Sequence, residues 1–531
     1  MADSITFFEP VEVPAFNLGQ KQHEPSTATV NLLDTVPLPS TRTTPATVQD
    51  TITSLQSSNI PVFTPGHSEY ERRTARPNLL FRATRPDCVA QPTSAAHVAT
   101  TISLAKSARV PVTIQCAFHS WAGFSTASRG IVLDVSKLNA VDLDAAARTV
   151  TVGAGCRWED VYRALPAGLV VTGARAPTVG VSGFTLGGGL GPFTRRFGLG
   201  SDALLEATVV TADGALVTVG ENDDPASDAG RLFWALRGAG AGNFGVLVRV
   251  KLRVQELQGE DVVGGRVQWS IPSEDEGVVA AMNKVYSAEW PSGMTVDSTW
   301  MCDLRQTGGD QVRLVASFDG SKDEFDGVVD SCVEQPELAN GLKQRCLPQK
   351  SSRFLNETLE AQWSEEIERF LPENKSYSVN SSFAFGNDSK NVEQITAIIR
   401  EEMKNFRSRF SGEQAEFSVT WMHAGGKAAE KNPTDTAFFW REAAYHTYLT
   451  VVWEDKRMEK DMRDFLETVK DRLRSFSLEK KAAYVNFPDG KLASEPYEEA
   501  YYGDNSNELR RVKQIWDKDN FFNWSQGVKL P

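Results

Sequence analysis

Six glycines fall within twelve residues between Gly180 and Gly191, and this run restricts the possible folds more than any other feature of the chain. A residue without a Cβ atom lets the backbone adopt positive φ angles and lets other groups approach closely. Successive backbone N–H groups in such a run form a concave anion site that suits a pyrophosphate. A tight structural turn would need the same glycines, and spacing alone does not decide between the two interpretations.

A second glycine pattern, Gly240-Ala-Gly242-Asn-Phe-Gly245, has the G-x-G-x-x-G spacing of dinucleotide-binding loops. That motif requires a helix directly after it. Here the next residues, Val246–Val254, are rich in β-branched side chains and predict a strand. The pattern therefore does not predict a nicotinamide site, and the sequence contains no Walker A motif.

Length, charge and cysteine usage narrow the class of protein. A chain of 531 residues is too long for one hydrophobic core and predicts two or three packed units. Its formal net charge of −13 disfavours nucleic acid and anionic membrane surfaces as partners. The six cysteines and six histidines have neither disulfide-framework nor zinc-ligand spacing, so we expect no metal site. Without a signal-peptide pattern or a membrane-spanning run, we expect a cytoplasmic protein.

Composition and periodicity divide the chain into four segments. Residues 1–45 are rich in Pro, Ser and Thr and predict an extended arm. Residues 46–256 predict short helices and short strands. Residues 257–475 alternate strands, such as Tyr445–Trp453, with longer amphipathic helices, and residues 476–531 return to short motifs. This pattern is typical of an α+β fold.

Short motifs then follow one another along the chain. They are His119-Ser120 with Gly123, Val132–Leu138, Val152–Gly155, Pro177–Gly180, Leu186–Gly191, Arg195–Leu199, Val210–Gly214, Leu232–Gly238, Gly242–Val246 and the C-terminal Tyr484–Phe487. In this order they resemble the berberine bridge enzyme-like branch of the vanillyl-alcohol oxidase and p-cresol methylhydroxylase (PCMH) superfamily. The resemblance covers more than half of the chain.

The resemblance implies a PCMH-type FAD-binding domain of two α+β subdomains, followed by a substrate domain whose antiparallel sheet is covered by helices. FAD would lie extended between the subdomains, and a small organic substrate would bind over the flavin ring. The residues that this implies as cofactor-binding are Cys116, Ala117, Phe118, His119, Ser120, Gly123, Pro177, Thr178, Gly180, Gly183, Gly187, Gly188, Gly189, Gly245, Val246, Tyr484 and Asn486.

The loop before His119 departs from the pattern of the branch. Where the branch carries Gly-Gly-His, this chain reads Ala117-Phe118-His119. The change restricts the backbone and places a ring beside the expected phosphates. The retained His119 implies a covalent flavin link, whereas Ala176 stands where doubly linked members carry a cysteine. Cys116 and Cys156 match no linking position.

The sequence also departs from the pattern of the branch at Phe487, because plant members often carry a tyrosine there that acts as a base. Phenylalanine has no proton to exchange, so the base must come from another residue. The candidates in the predicted substrate sheet are His423, Tyr445, His446, Tyr448 and Glu454. Alternation along a strand places His446 and Tyr448 on one face and Tyr445 on the other. We favour Tyr448 and then His446, with Tyr484 as a third catalytic residue beside the ring.

These features favour an FAD-dependent oxidase that acts on a small organic molecule, such as a secondary metabolite, with O₂ as the electron acceptor. A redox-neutral isomerase or cyclase, with FAD retained structurally or lost, stays open because of the altered His119 loop and Phe487. The third alternative is a protein that binds a ligand but catalyses no reaction. The glycine-rich run and Asn486 argue against this alternative.

Overall fold

A computed structural model describes residues 46–259, 261–271, 277–306, 309–350, 375–492 and 496–531. The arm expected over residues 1–45 lies outside these ranges. Residues 47–531 form one compact unit, so the domain boundaries expected after residues 256 and 475 stay predictions. No helix in the described ranges is long and apolar enough to cross a membrane.

Short strands and short helices make up the chain before residue 256, and longer helices such as Ser389–Arg409 occur after it, as expected. The strands are β1 Val62–Phe63, β2 Cys88–Ala90, β3 Val112–Gln115, β4 Ile131–Asp134, β5 Val141–Asp144, β6 Thr149–Gly153, β7 Leu169–Val170, β8 Leu204–Thr211, β9 Leu216–Gly220, β10 Gly245–Arg253, β11 Gln255–Glu256, β12 Asp261–Ile271, β13 Met294–Asp303, β14 Asp310–Phe318, β15 Leu347–Lys350, β16 Tyr377–Phe385, β17 Ala415–His423 and β18 Tyr445–Trp453. The α-helices are Ala46–Ser57, Ser68–Thr74, Ala95–Ser107, Trp158–Ala164, Val181–Leu186, Thr194–Phe197, Asp228–Ala235, Gly277–Ser287, Lys322–Cys332, Pro336–Arg345, Ser389–Arg409, Glu459–Leu473, Tyr497–Tyr502 and Ser506–Trp516.

Two small sheets form the first half of the compact unit. One has the order β1-β2-β4-β3, in which β2 and β3 both run parallel to β4. The other is antiparallel, in the order β5-β6-β10-β8-β9. The hairpin between β8 and β9 turns at Asp213-Gly214, where Gly214 has a φ of +77°, a value that glycine adopts without strain. Strand β10 confirms that a strand follows the G-x-G-x-x-G pattern.

The largest sheet contains seven strands in the order β15-β12-β14-β13-β17-β18-β16. All of its neighbouring strands are antiparallel. Because side chains alternate along a strand, one face buries Trp300, Trp421 and Tyr445 in a core that includes the Ser389–Arg409 and Glu459–Leu473 helices. The opposite face is largely polar and borders the main cavity. The α+β class and the antiparallel sheet covered by helices are thus confirmed.

Candidate active site

The main cavity lies between the polar face of the large sheet and the segments that carry the predicted cofactor motifs. Its volume is about 390 Å³. The predicted site residues that line it are Cys116, Ala117, Phe118, His119, Ser120, Gly180, Gly183, Tyr448, Tyr484 and Asn486. The chain thus brings together residues more than 300 positions apart in sequence. The predicted residues that do not line it are Gly123, Pro177, Thr178, Gly187, Gly188, Gly189, Gly245, Val246 and His446.

His119 reaches the cavity because β3 ends at Gln115 and the chain then turns along the cavity wall. Its Nε2 lies 3.0 Å from the Thr178 hydroxyl, so Thr178 contacts the cavity only through the imidazole. Burial, with a smaller contribution from the Arg157 charge, lowers the pKa of His119 to about 4. The imidazole is therefore neutral at physiological pH, with a lone pair on one ring nitrogen.

Phe118 adopts a left-handed backbone with φ +64° at a position where the family pattern has glycine. The guanidinium carbon of Arg76 lies 4.8 Å above the Phe118 ring. Arg76 also donates hydrogen bonds to the Gln115 side chain and, at 2.8 Å, to the Arg73 carbonyl. The loop thus keeps the left-handed turn without the glycine, and its aromatic ring forms part of the cavity wall.

The glycine-rich run separates into two parts in the structure. A Cβ added to Gly187, Gly188 or Gly189 would lie within 2.6 Å of Asn486, Phe438 or Phe184 side-chain atoms, respectively. A Cβ added to Gly183 would meet no atom within 4 Å. The close approach at Gly187–Gly189 is therefore to protein side chains, for which the structural interpretation accounts, and a pyrophosphate contact of the backbone N–H groups there stays a prediction. Gly183 instead opens onto the cavity.

Tyr484 and Asn486 form a hydrogen-bonded pair at the cavity wall. The Tyr484 hydroxyl oxygen accepts hydrogen bonds from the Gly189 N–H at 3.2 Å and from Asn486 Nδ2 at 3.0 Å. Burial raises the pKa of Tyr484 to about 12 despite these two donors. The phenol thus keeps its proton at neutral pH, and because its oxygen already accepts twice, its O–H group acts as a donor.

Tyr448 faces the cavity from β18 and is held between two aromatic rings. Its ring stacks on Phe487 at a centroid distance of 4.5 Å and meets Trp121 edge-on at 5.1 Å. Cross-strand pairing places Thr420 opposite Tyr448 and Thr299 opposite Thr420. Thr299, Thr420 and Tyr448 therefore lie side by side across three strands of the large sheet. They line the cavity with two hydroxyl groups and one phenol, and the phenol lies between aromatic rings.

The other candidate bases do not reach the cavity. His446 is buried behind Tyr484, with ring centroids 5.4 Å apart, and burial lowers its pKa to about 3. As alternation predicted, Tyr445 points to the opposite face, where its hydroxyl donates to the Tyr286 carbonyl at 3.2 Å. His423 is buried beside Tyr445, and Glu454 is exposed at the end of β18. Direct base chemistry by His446, the second choice, is therefore not supported.

Comparisons with known proteins agree with this architecture. Residues 86–220 match the FAD binding domain family, and residues 483–529 match the family described as berberine and berberine like. Berberine bridge enzyme-like 21 of Arabidopsis thaliana is 26% identical over 83% of this chain and 82% of its own length. The FAD-linked oxidoreductase YvdP of Bacillus subtilis is 27% identical over 81% of this chain and 89% of its own.

The solved structure of berberine bridge enzyme from Eschscholzia californica superposes with a TM-score of 0.76, at 21% identity, over 91% of this chain and 99% of that one. The likeness shows the same fold. The chain is an FAD-linked oxidoreductase whose matched domains and fold resemble those of berberine bridge enzyme.

The residues of this flavoprotein fit FAD. Gly183 leaves open space where any other residue would place a side chain, and Gly242, with φ +75°, lines the same cavity beside Trp524. Between them, the backbone of Cys116–Ser120 forms a continuous wall. Glycine backbone along a cavity wall lets a large cofactor approach the chain closely, and these residues would hold FAD there.

The cysteines near the cavity of the flavoprotein are poor nucleophiles. Burial raises the pKa of Cys116 to about 11 and that of Cys156 to about 12. Both remain thiols at neutral pH, whereas a linking cysteine would react as a thiolate. Ala176 lines the cavity at the position of the second link and supplies no sulfur.

Several cavity residues of the oxidoreductase had no signal in the sequence. Arg175 forms a two-pronged ion pair with Asp297, whose second contact is 2.8 Å, and the pair joins the cofactor side of the cavity to the large sheet. Trp121 and Arg313 also line the cavity, and so does Gly240–Gly242, which the sequence had marked only as part of a glycine pattern that lacks its helix. Alternation on β13 and β14 would have found Asp297 and Arg313 once the facing side of the sheet was known.

Proposed function

We propose that this flavoprotein is an oxidase that binds a small organic molecule between the glycine-lined wall and the polar face of the large sheet, and that passes electrons to O₂. The single observation that carries the proposal is one shared cavity, lined by Gly183 and His119 on one side and by Tyr448 and Thr420 on the other. Bound FAD supplies the redox chemistry, accepting a hydride equivalent and returning electrons to oxygen.

Tyr448 is the group proposed to take the proton from a substrate O–H or N–H. It is the candidate base that lines the cavity, and the stacked ring of Phe487 fixes its orientation. Tyr484 has the opposite role, because its doubly accepting oxygen and raised pKa leave it a hydrogen-bond donor. Both rings lie against Phe487, and a donor and an acceptor held in this way orient a polar substrate before any bond changes.

We also propose that the flavin is linked to the protein through His119 alone. A neutral imidazole is the nucleophilic form, and burial keeps His119 neutral with a pKa of about 4. The protonated thiols of Cys116 and Cys156, and Ala176 at the second linking position, support a single link.

We further propose that the substrate is a specialised metabolite. The cytoplasmic localisation stays a prediction. In the deciding experiment, the purified protein is mixed anaerobically with a series of specialised metabolites, and the visible absorbance of the flavin is followed. A substrate of the proposed oxidase should bleach the absorbance, and air should restore it with formation of H₂O₂. Product that forms without bleaching, and equally fast without oxygen, would show a redox-neutral isomerase or cyclase instead.

A further inference from the structure

Arg313 is a cation on the cavity wall without an anionic partner. In the part of the chain that the structure describes, no carboxylate pairs with it: one terminal nitrogen donates to Sδ of Met301 at 2.8 Å, and its Nε is buried without a partner. A thioether is a weak acceptor. A partly buried guanidinium without an anion is unfavourable unless another group neutralises it.

Two arginines that are more deeply buried than Arg313 are neutralised by carboxylates, whereas the buried Arg195 donates to backbone carbonyl oxygens. Arg400 lies 2.7 Å from Asp310, and Arg441 lies 2.7 Å from Asp202. Arg175, on the same cavity as Arg313, pairs with Asp297. Among the described residues, Arg313 differs from all of these in having neither a carboxylate nor an oxygen acceptor, and it faces the space where the substrate is proposed to bind.

A side chamber of about 120 Å³ adjoins the main cavity and shares Arg313, Thr299, Thr420 and Tyr448 with it. Its one lining carboxylate, Glu416, is held by Arg305 at 2.7 Å. The chamber also contains neutral donors, among them Asn380 and Ser418. With its carboxylate already paired, the chamber favours an anionic group over a cationic one.

We propose that Arg313 binds a carboxylate of the substrate, so that the substrate class is a carboxylic acid. Guanidinium and carboxylate match in planar geometry and can form two parallel hydrogen bonds. This inference rests on the proposed function, because it assumes that the oxidised substrate binds in the main cavity. It adds that this substrate carries a carboxylate.

The sheet also sets where the acid group lies relative to the reaction. Arg313 on β14 pairs with Thr299 on β13, followed by Thr420 on β17 and Tyr448 on β18. Three strand spacings separate the backbones of Arg313 and Tyr448 by roughly 14 Å. Both side chains line the cavity, so the proposal places the carboxylate group of the substrate at β14 and the proton-accepting group at β18.

The test measures binding without turnover. Calorimetry on the flavin-containing protein compares naphthalene-2-carboxylate with its uncharged analogue naphthalene-2-carboxamide, which has nearly the same shape. The variants are Arg313→Gln, Arg313→Lys and the control Arg266→Gln. Arg266 lies on the neighbouring strand β12 of the same sheet, opposite Val315, and lines neither cavity.

The wild type should bind the carboxylate roughly 10- to 100-fold more tightly than the amide, the usual effect of a charge-assisted hydrogen bond. Arg313→Gln should abolish this preference, Arg313→Lys should keep part of it, and Arg266→Gln should leave it unchanged. An equal affinity of the wild type for both probes, or a preference that survives Arg313→Gln, would overturn the assignment. Flavin bleaching is measured separately, so failure of the oxidase proposal would be seen independently.

Discussion

Alanine substitutions at Gly183 and Gly187 should have opposite effects, although the two glycines lie four residues apart. Gly183 lies inside the Val181–Leu186 helix, and its missing Cβ points to open cavity space. Gly187 follows that helix, and an added Cβ would lie 2.1 Å from Oδ1 of Asn486. Gly183→Ala should therefore weaken flavin binding, whereas Gly187→Ala should weaken the fold.

The expected magnitudes follow from these contacts. Gly183→Ala should raise the free energy of unfolding of the flavin-free protein by about 0.5–1 kcal/mol, because alanine favours a helix over glycine by that amount. Gly187→Ala forces Asn486 to move, and overpacking of this kind costs about 1–3 kcal/mol. The displaced amide would also lose its hydrogen bonds to the Phe184 carbonyl and the Tyr484 hydroxyl, each worth about 0.5–1.5 kcal/mol. The total loss should be about 2–6 kcal/mol.

The assay combines urea unfolding with flavin titration in a His119→Ala background, in which the proposed covalent link cannot form. Gly183→Ala should raise the dissociation constant for FAD by roughly tenfold or more, since overpacking of about 1–3 kcal/mol would fall on the cofactor. Unchanged FAD affinity in Gly183→Ala would show that this helix is not a wall of the cofactor site. Wild-type stability in Gly187→Ala would refute the close contact with Asn486.

Three further predictions concern the site residues. Tyr448→Phe should slow flavin reduction by about 10²- to 10⁴-fold, the usual contribution of a general base, whereas the control Tyr445→Phe, on the opposite face of β18, should leave the rate unchanged. His119→Ala should release all flavin into the supernatant after acid precipitation, and persistent bound flavin would place the link elsewhere. Stability should fall as the pH drops below 6.5, because burial holds the pKa of His119 at about 4 and that of His446 at about 3, so the unfolded chain binds more protons. Each histidine should contribute about 2 kcal/mol of this loss by pH 5, and His446→Gln should flatten the urea-measured pH profile.

Local patterns predicted the elements well, since periodicity and turn chemistry act over a few residues. Strand β18 has the predicted bounds, Tyr445–Trp453. Alternation on β18 correctly separated Tyr445 from Tyr448. These outcomes needed no knowledge of tertiary structure.

The parts of the site that depend on tertiary approach could not be predicted in this way. Spacing suggested one function for the whole glycine-rich run, but Gly183 borders the cavity while Gly187 accommodates Asn486, a residue 299 positions later in the chain. Similarly, His446 shares a strand face with Tyr448, yet Tyr484 comes between it and the cavity. Sequence distance carries no information about such approaches, because they are set by how the sheet packs on the C-terminal segment.

The His119 loop shows how a chain can keep a geometry while losing the residue that usually provides it. A left-handed backbone at a non-glycine residue costs about 1–2 kcal/mol, and Phe118 adopts it at φ +64°. A cation over an aromatic face returns about 0.5–2 kcal/mol, and Arg76 is positioned to supply this, since it is only 5% exposed and lies over the ring. Because the two effects are of similar size, Arg76 compensates for the missing glycine. The contact between Arg76 and Phe118 thus stabilises the turn that brings His119 to the cavity.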